Sequence, residues 1–337
     1  MTLKQWFFIF IFLFTSALHA EREEYLDVKL FMSVDWEGVS LQDENLQAMK
    51  LLRNQFPHIK LIHFLNAAYF TQKGVNPIDV VAKIQSVLRP GDEIGLHVHA
   101  LESLLAASGV PFRDNVTYWG SRGSQPYNGQ RGHDVPLSLF NVEELRRIIR
   151  KSLEILGSHG FSNINSFRAG GWVATPEVLE ALRLEGIQID SSAVPLDIIG
   201  SVVGSEQPLF QINKKLWPDQ TPFKHQPYEL QTPVGPILEF PNNIGLADYI
   251  DSKKAFLIFQ KLVEKNYGKP QPVSFHFGFH QETASLFLPR VRNLLRKIDF
   301  FQQSYRVRVR SVIFSDIPPQ FFRLPLREAK SCAASLK

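Results

Sequence analysis

Short β-like runs alternate with amphipathic, helix-like segments along most of the 337-residue chain. That alternation is the pattern of a parallel α/β fold, in which each crossover between neighbouring strands is carried by a covering helix. Strands are expected near 28–34, 60–65, 93–99, 164–167, 187–190, 237–240, 273–276 and 307–313. Between them, Asn141-Val142-Glu143-Glu144 has the form of a capped helix start, and Val142, Leu145, Ile148, Ile149, Leu153 and Leu156 follow at helical spacing. Pro176 suits the first position of another helix, and 252–265 and 284–300 have similar character. Seven or eight such units without a Gly- or Ser-rich linker predict one closed or nearly closed (β/α) barrel over residues 25–320, followed by a polar tail, 321–337. Residues 102–140 and 200–236, rich in Gly, Pro, Asn and aromatics, break the rhythm and are expected to be long binding loops.

Residues 1–20 differ from the rest. Lys4 precedes an apolar segment, Trp6–Phe14, and Ser16-Ala17-Leu18-His19-Ala20 supplies small residues before Glu21-Arg22-Glu23-Glu24. This is the form of a cleavable signal peptide, cut after Ala20 or Ala17, and it predicts an exported protein, periplasmic or secreted. The apolar segment is short for a bilayer span, so no stable membrane span is expected after cleavage; a retained anchor is the competing reading. The single cysteine, Cys332, excludes a disulfide framework and a thiolate metal site. The net charge of +4 is scattered, and Arg306, Arg308 and Arg310 alternate with Val307 and Val309 as on the solvent face of a strand, so no nucleic-acid partner is expected.

Polar residues gather where the expected strands end. Asp35 and Glu37 close the first run, Asn66 the second, His97 and His99 the third; Arg168, Asp190, Glu239 and His276 close later ones, with His280 just beyond. In a (β/α) barrel the C-terminal strand ends converge on one face, so groups contributed by separate strands can meet. Residues two apart in an extended chain share a side, which lets His97 and His99 reach one cation, and lets Asp35 and Glu37 divide the roles of oxygen ligand and general base. Two imidazoles that merely satisfy buried hydrogen bonds are the competing reading. Arg168, set in Phe167-Arg168-Ala169-Gly170-Gly171-Trp172, needs a carboxylate partner if buried. Of His276 and His280, one is expected to protonate a leaving group while the other packs.

These motifs, in this order and spanning roughly Lys29 to Ile317, resemble the polysaccharide deacetylase superfamily, the NodB-homology enzymes. The resemblance implies a distorted (β/α)7–8 barrel and a divalent metal, with Zn²⁺ favoured by ligand type. It also implies Asp35 as base, Glu37, His97 and His99 as metal ligands, Arg168 as the residue that orients the base, and His276 as acid. Lys60–Phe70 matches the family's second strand and its exit. The chain departs from the family pattern in three places. The usual adjacent acidic pair is spread over Asp35-Trp36-Glu37, the position of the usual second histidine is Leu101, and Gly170 replaces a common proline. The implied activity is metal-dependent removal of N-acetyl or similar acyl groups from a carbohydrate. Hydrolysis of another small C–N amide at the same metal site, or a catalytically silent glycan-binding barrel, are the alternatives. Trp119, Tyr127, His133, Trp172 and His280 are expected to contact substrate, since aromatic faces suit sugar rings.

Overall fold

The structure is a computed structural model, and it describes residues 25–218, 226–317 and 326–328. The expected signal peptide, Cys332 and nearly all of the expected tail lie outside the described residues.

Among the described residues eleven strands form one sheet: β1 (Leu26–Asp35), β2 (Ile62–Leu65), β3 (Glu93–Val98), β4 (Ser166–Ala169), β5 (Ile189–Asp190), β6 (Tyr228–Thr232), β7 (Gly235–Glu239), β8 (Gly245–Leu246), β9 (Val273–His280), β10 (Val307–Val312) and β11 (Leu326–Glu328). The spatial order is β11-β6-β7-β5-β4-β3-β2-β1-β9-β8, with β10 paired to the first half of β1. Every pairing is parallel except the β6–β7 hairpin. The sheet curls into the expected distorted (β/α) barrel. On the mouth side the chain after β7 joins the two flanks: Phe240 N and Asn242 N donate to Asp190 O and Ala193 O, while Ile244 N and Ala247 N donate to His276 O and Gly278 O.

The alternation along β1 explains both the core and the site. Leu30, Met32 and Val34 face the surrounding helices and join the large apolar cluster there. Phe31 faces inward, where it packs with Phe64, Phe240 and Phe314 at ring separations of 4.8–6.2 Å. Ser33 and Asp35 continue that inner face toward the mouth, above the aromatic plug. The helices form as their local signals demand. Asn141 caps Val142–Ser158 through a capping box, accepting from Glu144 N at 3.0 Å while its own N–H donates to the Glu144 carboxylate at 3.1 Å. Leu145, Ile148, Ile149 and Leu156 form the buried stripe of that helix, each worth about 1.5–3 kcal/mol of burial.

The expectation of a long loop over 200–236 is corrected. The helices Leu196–Val203 and Pro208–Leu216 and strand β6 occupy most of its described part. Gly204, at φ +90°, stops the first helix and Pro208 starts the second, so the residues taken for loop markers are helix punctuation. The 102–140 segment opens with the helix Glu102–Ala107 and ends in a 3₁₀ turn, Leu137–Leu139, with irregular chain between. On β10, Arg308 and Arg310 are exposed as expected, and Arg310 pairs with Asp27 at 2.6 Å.

Candidate functional site

Arg168 is fully buried beneath the barrel mouth, and its fork is fully engaged. Nε donates to Ser191 O at 2.9 Å, one terminal nitrogen to Ser33 Oγ at 2.8 Å and Asp35 Oδ1 at 2.6 Å, and the other to Ser191 Oγ at 2.9 Å. The same terminal nitrogen lies 3.2 Å from His276 Nε2, and the guanidinium stacks 4.4 Å over the Phe64 ring. A buried guanidinium requires such a carboxylate and so many acceptors. Asp35, 2% exposed, is thereby held on the cavity wall.

The register corrects one expectation. His276 lies opposite Phe31, whereas His280 lies opposite Asp35. Four residues of strand put His276 about 13 Å deeper along β9. It is fully buried and is not among the cavity-lining residues; its Nε2 is taken by Ser33 Oγ at 3.0 Å and by Arg168. Burial and the Arg168 charge hold its pKa well below the ordinary imidazole range. It supports the floor, and it is not placed to protonate a leaving group.

Glu37 is the centre of the mouth. Its N–H donates to Glu282 Oε2 at 3.2 Å and its carbonyl accepts from Asn66 Nδ2 at 3.0 Å. Gly38 then turns the chain at φ +83°, where a Cβ would lie 2.6 Å from the Asn66 side chain. Around the carboxylate stand four imidazoles. His99 Nε2 is 2.8 Å from Oε2, His97 Nε2 and His280 Nε2 are each 3.4 Å from Oε1, and His133 Nε2 contacts Oε2. Burial alone would raise the Glu37 pKa, but His99, His280 and His133 outweigh it and leave the carboxylate well below its usual range.

The far side of each ring decides what the near side can do. His97 Nδ1 lies 2.8 Å from Arg168 O and His99 Nδ1 lies 2.6 Å from His133 O. Carbonyl oxygens only accept, so both rings carry their proton on Nδ1 and, when neutral, turn an Nε2 lone pair toward Glu37. His97 Nε2 is buried with no hydrogen-bond partner. Lone pairs directed at carboxylate oxygens repel unless a proton or a cation lies between them. Ligand atoms of Glu37, His99 and His133 lie within 4.8 Å of one another. Ligands about 2.0–2.1 Å from a tetrahedral ion sit about 3.3 Å apart, so the spacing and the donor set suit a divalent cation.

His280 is backed by Asp248, Nδ1 to Oδ1 at 3.0 Å. Burial works against the imidazolium there, but Asp248 and Glu37 outweigh it and raise the pKa to about 10. Glu282, buried beside Glu37 and bonded by the Tyr69 hydroxyl, is pushed up to about 8, first by burial and then by the Glu37 charge.

A cavity of about 230 Å³ opens over these groups, lined by Asp35, Glu37, His97, His99, His133, His280, Asp248, Glu282 and the rings of Tyr118, Trp119, Tyr127, Trp172 and Tyr249. Trp172 sits at φ +59°, an unusual conformation for a bulky residue, and its buried indole N–H has no partner. Trp119, Tyr127, His133, Trp172 and His280 are thus brought together on the wall. Asp190 and Glu239 are not. They pair with each other on the outer face of β5 and β7, where Glu239 Oε1 accepts from Ala193 N at 3.0 Å and Asp190 Oδ1 from Ser192 Oγ at 2.7 Å. Asp248, Tyr249 and Glu282 were missed in the sequence; only the closeness of Glu282 to His280 could have signalled one of them.

Fold and site together define a distorted (β/α) barrel with a carboxylate and imidazole cluster at its mouth. No family profile matches the chain, and no curated protein matches it in sequence. Among solved structures it is similar to a protein from Mycobacterium smegmatis provisionally classed as a polysaccharide deacetylase, at TM-score 0.50 and 11% identity over 87% of this chain and 89% of that one. Looser superpositions include a branching enzyme from Pyrococcus horikoshii, TM-score 0.49 at 7% identity over 90% and 72% of the two chains. Another is an allantoinase, TM-score 0.47 at 14% identity over 88% and 90%. The likeness to the Mycobacterium smegmatis protein is one of fold.

Proposed function

We propose that the chain is a metal-dependent hydrolase that removes N-acetyl or similar acyl groups from a carbohydrate, with Zn²⁺ the preferred cation and an exported location, periplasmic or secreted. The observation that carries this reading is the set of Nδ1-tethered imidazoles around Glu37, immediately beside the Asp35–Arg168 pair. Glu37, His97 and His99 would hold the ion. A bound divalent cation supplies a Lewis acid that polarises an amide carbonyl and acidifies water at neutral pH.

The chain's own groups do the rest. Asp35, aimed by Arg168, accepts the proton of the attacking water. His280, facing the cavity and steadied by Asp248, gives a proton to the departing amine. The unpartnered indole N–H of Trp172 offers a donor to the substrate, and Trp119 and Tyr127 offer faces for a sugar ring. A volume of about 230 Å³ is below the ~300–1,000 Å³ of drug-sized sites. One acylated ring or its acyl head fits inside, and the remainder of a polymer lies across the rim. Among the described residues no helix is long and apolar enough to cross a membrane.

The test is acetate release from N-acetylated chitooligosaccharide and from peptidoglycan, by zinc-loaded protein, EDTA-stripped protein and the Asp35→Asn variant. Release by the loaded protein alone is expected. Zinc bound at one equivalent with no release from either substrate would reject deacetylation of these carbohydrates.

A further inference from the structure

We propose that His133, carried by the irregular chain between the helix Glu102–Ala107 and the turn Leu137–Leu139, is a further ligand of the cation, so that metal binding pins this loop and its aromatic residues over the cavity. The inference rests on the metal-site reading given above and adds to it a ligand that the strand ends do not supply.

Three observations carry it. Leu101, four residues after His97, is fully buried in the apolar cluster behind the sheet, so no ligand comes from that position. His133 takes up the work from elsewhere in the chain: its Nε2 contacts the Glu37 carboxylate, its ring stacks on His99 at 4.2 Å and 8°, and its carbonyl receives the His99 Nδ1 proton at 2.6 Å. A single loop residue thus both presents an imidazole to Glu37 and fixes the tautomer of a neighbouring ligand candidate. Thirdly, the loop is built to deliver it. Gly132, at φ +94°, passes so close to the exit of β3 that a Cβ would lie 2.1 Å from Ala100 O, and Arg131 O accepts from Glu102 N at 3.0 Å. The Asp134 carboxylate gathers Ser124 Oγ and Gln125 N, and Ser124 Oγ in turn accepts from Gly132 N at 2.7 Å.

The consequence is mechanical. Tyr127 lies 4.6 Å from the His133 ring, and Trp119 is half exposed on the rim. Tyr118 anchors the start of the loop through Gly170 O and Asp134 O, so the section from 119 to 133 is the part a cation would hold. Without the ion, His133 meets Glu37 only as an ion pair or hydrogen bond; with it, the loop tip is tied to the strand-exit groups Glu37 and His99, whose ligand atoms lie within 4.8 Å of its own.

The test uses the full chain, stripped with EDTA and titrated with Zn²⁺ alone against a chromogenic chelator, alongside His133→Ala and His133→Asp, with hydrogen exchange read over residues 119–133. His133→Ala should weaken zinc binding at least about 100-fold, the upper range for loss of a supporting residue and a floor for loss of a ligand. His133→Asp, which restores a ligating oxygen, should recover at least about tenfold of that. Zinc should slow exchange in the loop of the unaltered chain but not of His133→Ala, while both melt alike in EDTA. Zinc affinity within about threefold in His133→Ala, or zinc-independent loop exchange in the unaltered chain, would overturn this inference and leave the metal-site reading standing. Failure of the unaltered chain to bind zinc would remove both.

Discussion

Replacing Arg168 by Met tests the architecture of the site most directly. The Met stem keeps much of the packing over Phe64, but it removes the donors to Ser33, Asp35 and Ser191 and the contact with His276. The dominant cost comes from Asp35, which at 2% exposure would lose its buried guanidinium partner. Removing one member of a buried pair costs about 3–5 kcal/mol. At the ~2 °C per kcal/mol appropriate to a large domain, the melting temperature should fall by roughly 6–10 °C. The assay is thermal and urea unfolding of EDTA-stripped protein, so that no ion contributes. Because most of the loss is that of one buried, directly bonded pair, Arg168→Met combined with Asp35→Asn should be less destabilised than the sum of the single changes, by about 1–3 kcal/mol. A single-variant loss below about 1 kcal/mol, or additivity within about 0.5 kcal/mol, would show that the pair is not the electrostatic unit described.

The two histidines of β9 should separate by function. His280→Gln should slow acetate release about 100-fold or more, whereas His276→Gln, whose amide oxygen still accepts from Ser33 and Arg168, should slow it less than about tenfold; initial rates on chitooligosaccharide decide. Leu101→His, which restores the histidine spacing usual in the superfamily, should destabilise by about 2–5 kcal/mol, because it opens packing and buries a polar ring in an apolar cluster. It should leave zinc affinity unimproved in chelator competition. Burial raises the carboxyl pKa values of both Asp190 and Glu239, that of Glu239 well above its usual value of 4.5. The folded state therefore holds protons that the unfolded chain releases above that value, and stability should decline as pH rises from there toward the folded pKa. Glu239→Gln keeps a donor for Asp190 without an ionisable proton, so its urea midpoint should change less between pH 5 and pH 8 than that of the unaltered chain.

Most of what positions the site could be read from period and spacing. Asp35 and Glu37, and likewise His97 and His99, lie two apart at strand exits that meet at one mouth, and the structure places all four on the cavity wall. Arg168 could be read as needing a carboxylate, and it finds Asp35. The His276 expectation failed on a boundary: β9 runs on to His280, so the residue taken for the strand end lies a full four residues inside. Asp190 and Glu239 failed on phase. Their ladders offer too few residues to show which side faces in, and Phe240, beside Glu239, takes the inner side. His133 and Asp248 reach the site through irregular chain, where no periodicity relates sequence distance to direction.

The four phenylalanines beneath Arg168 make the barrel a blind well. On the proposed function, whatever is cleaved inside backs out past the same rim by which it arrived. A polymer would therefore be worked one dipped side group at a time, with its main strand sliding or releasing over the lip, and the departing acid would compete for that opening with the next residue.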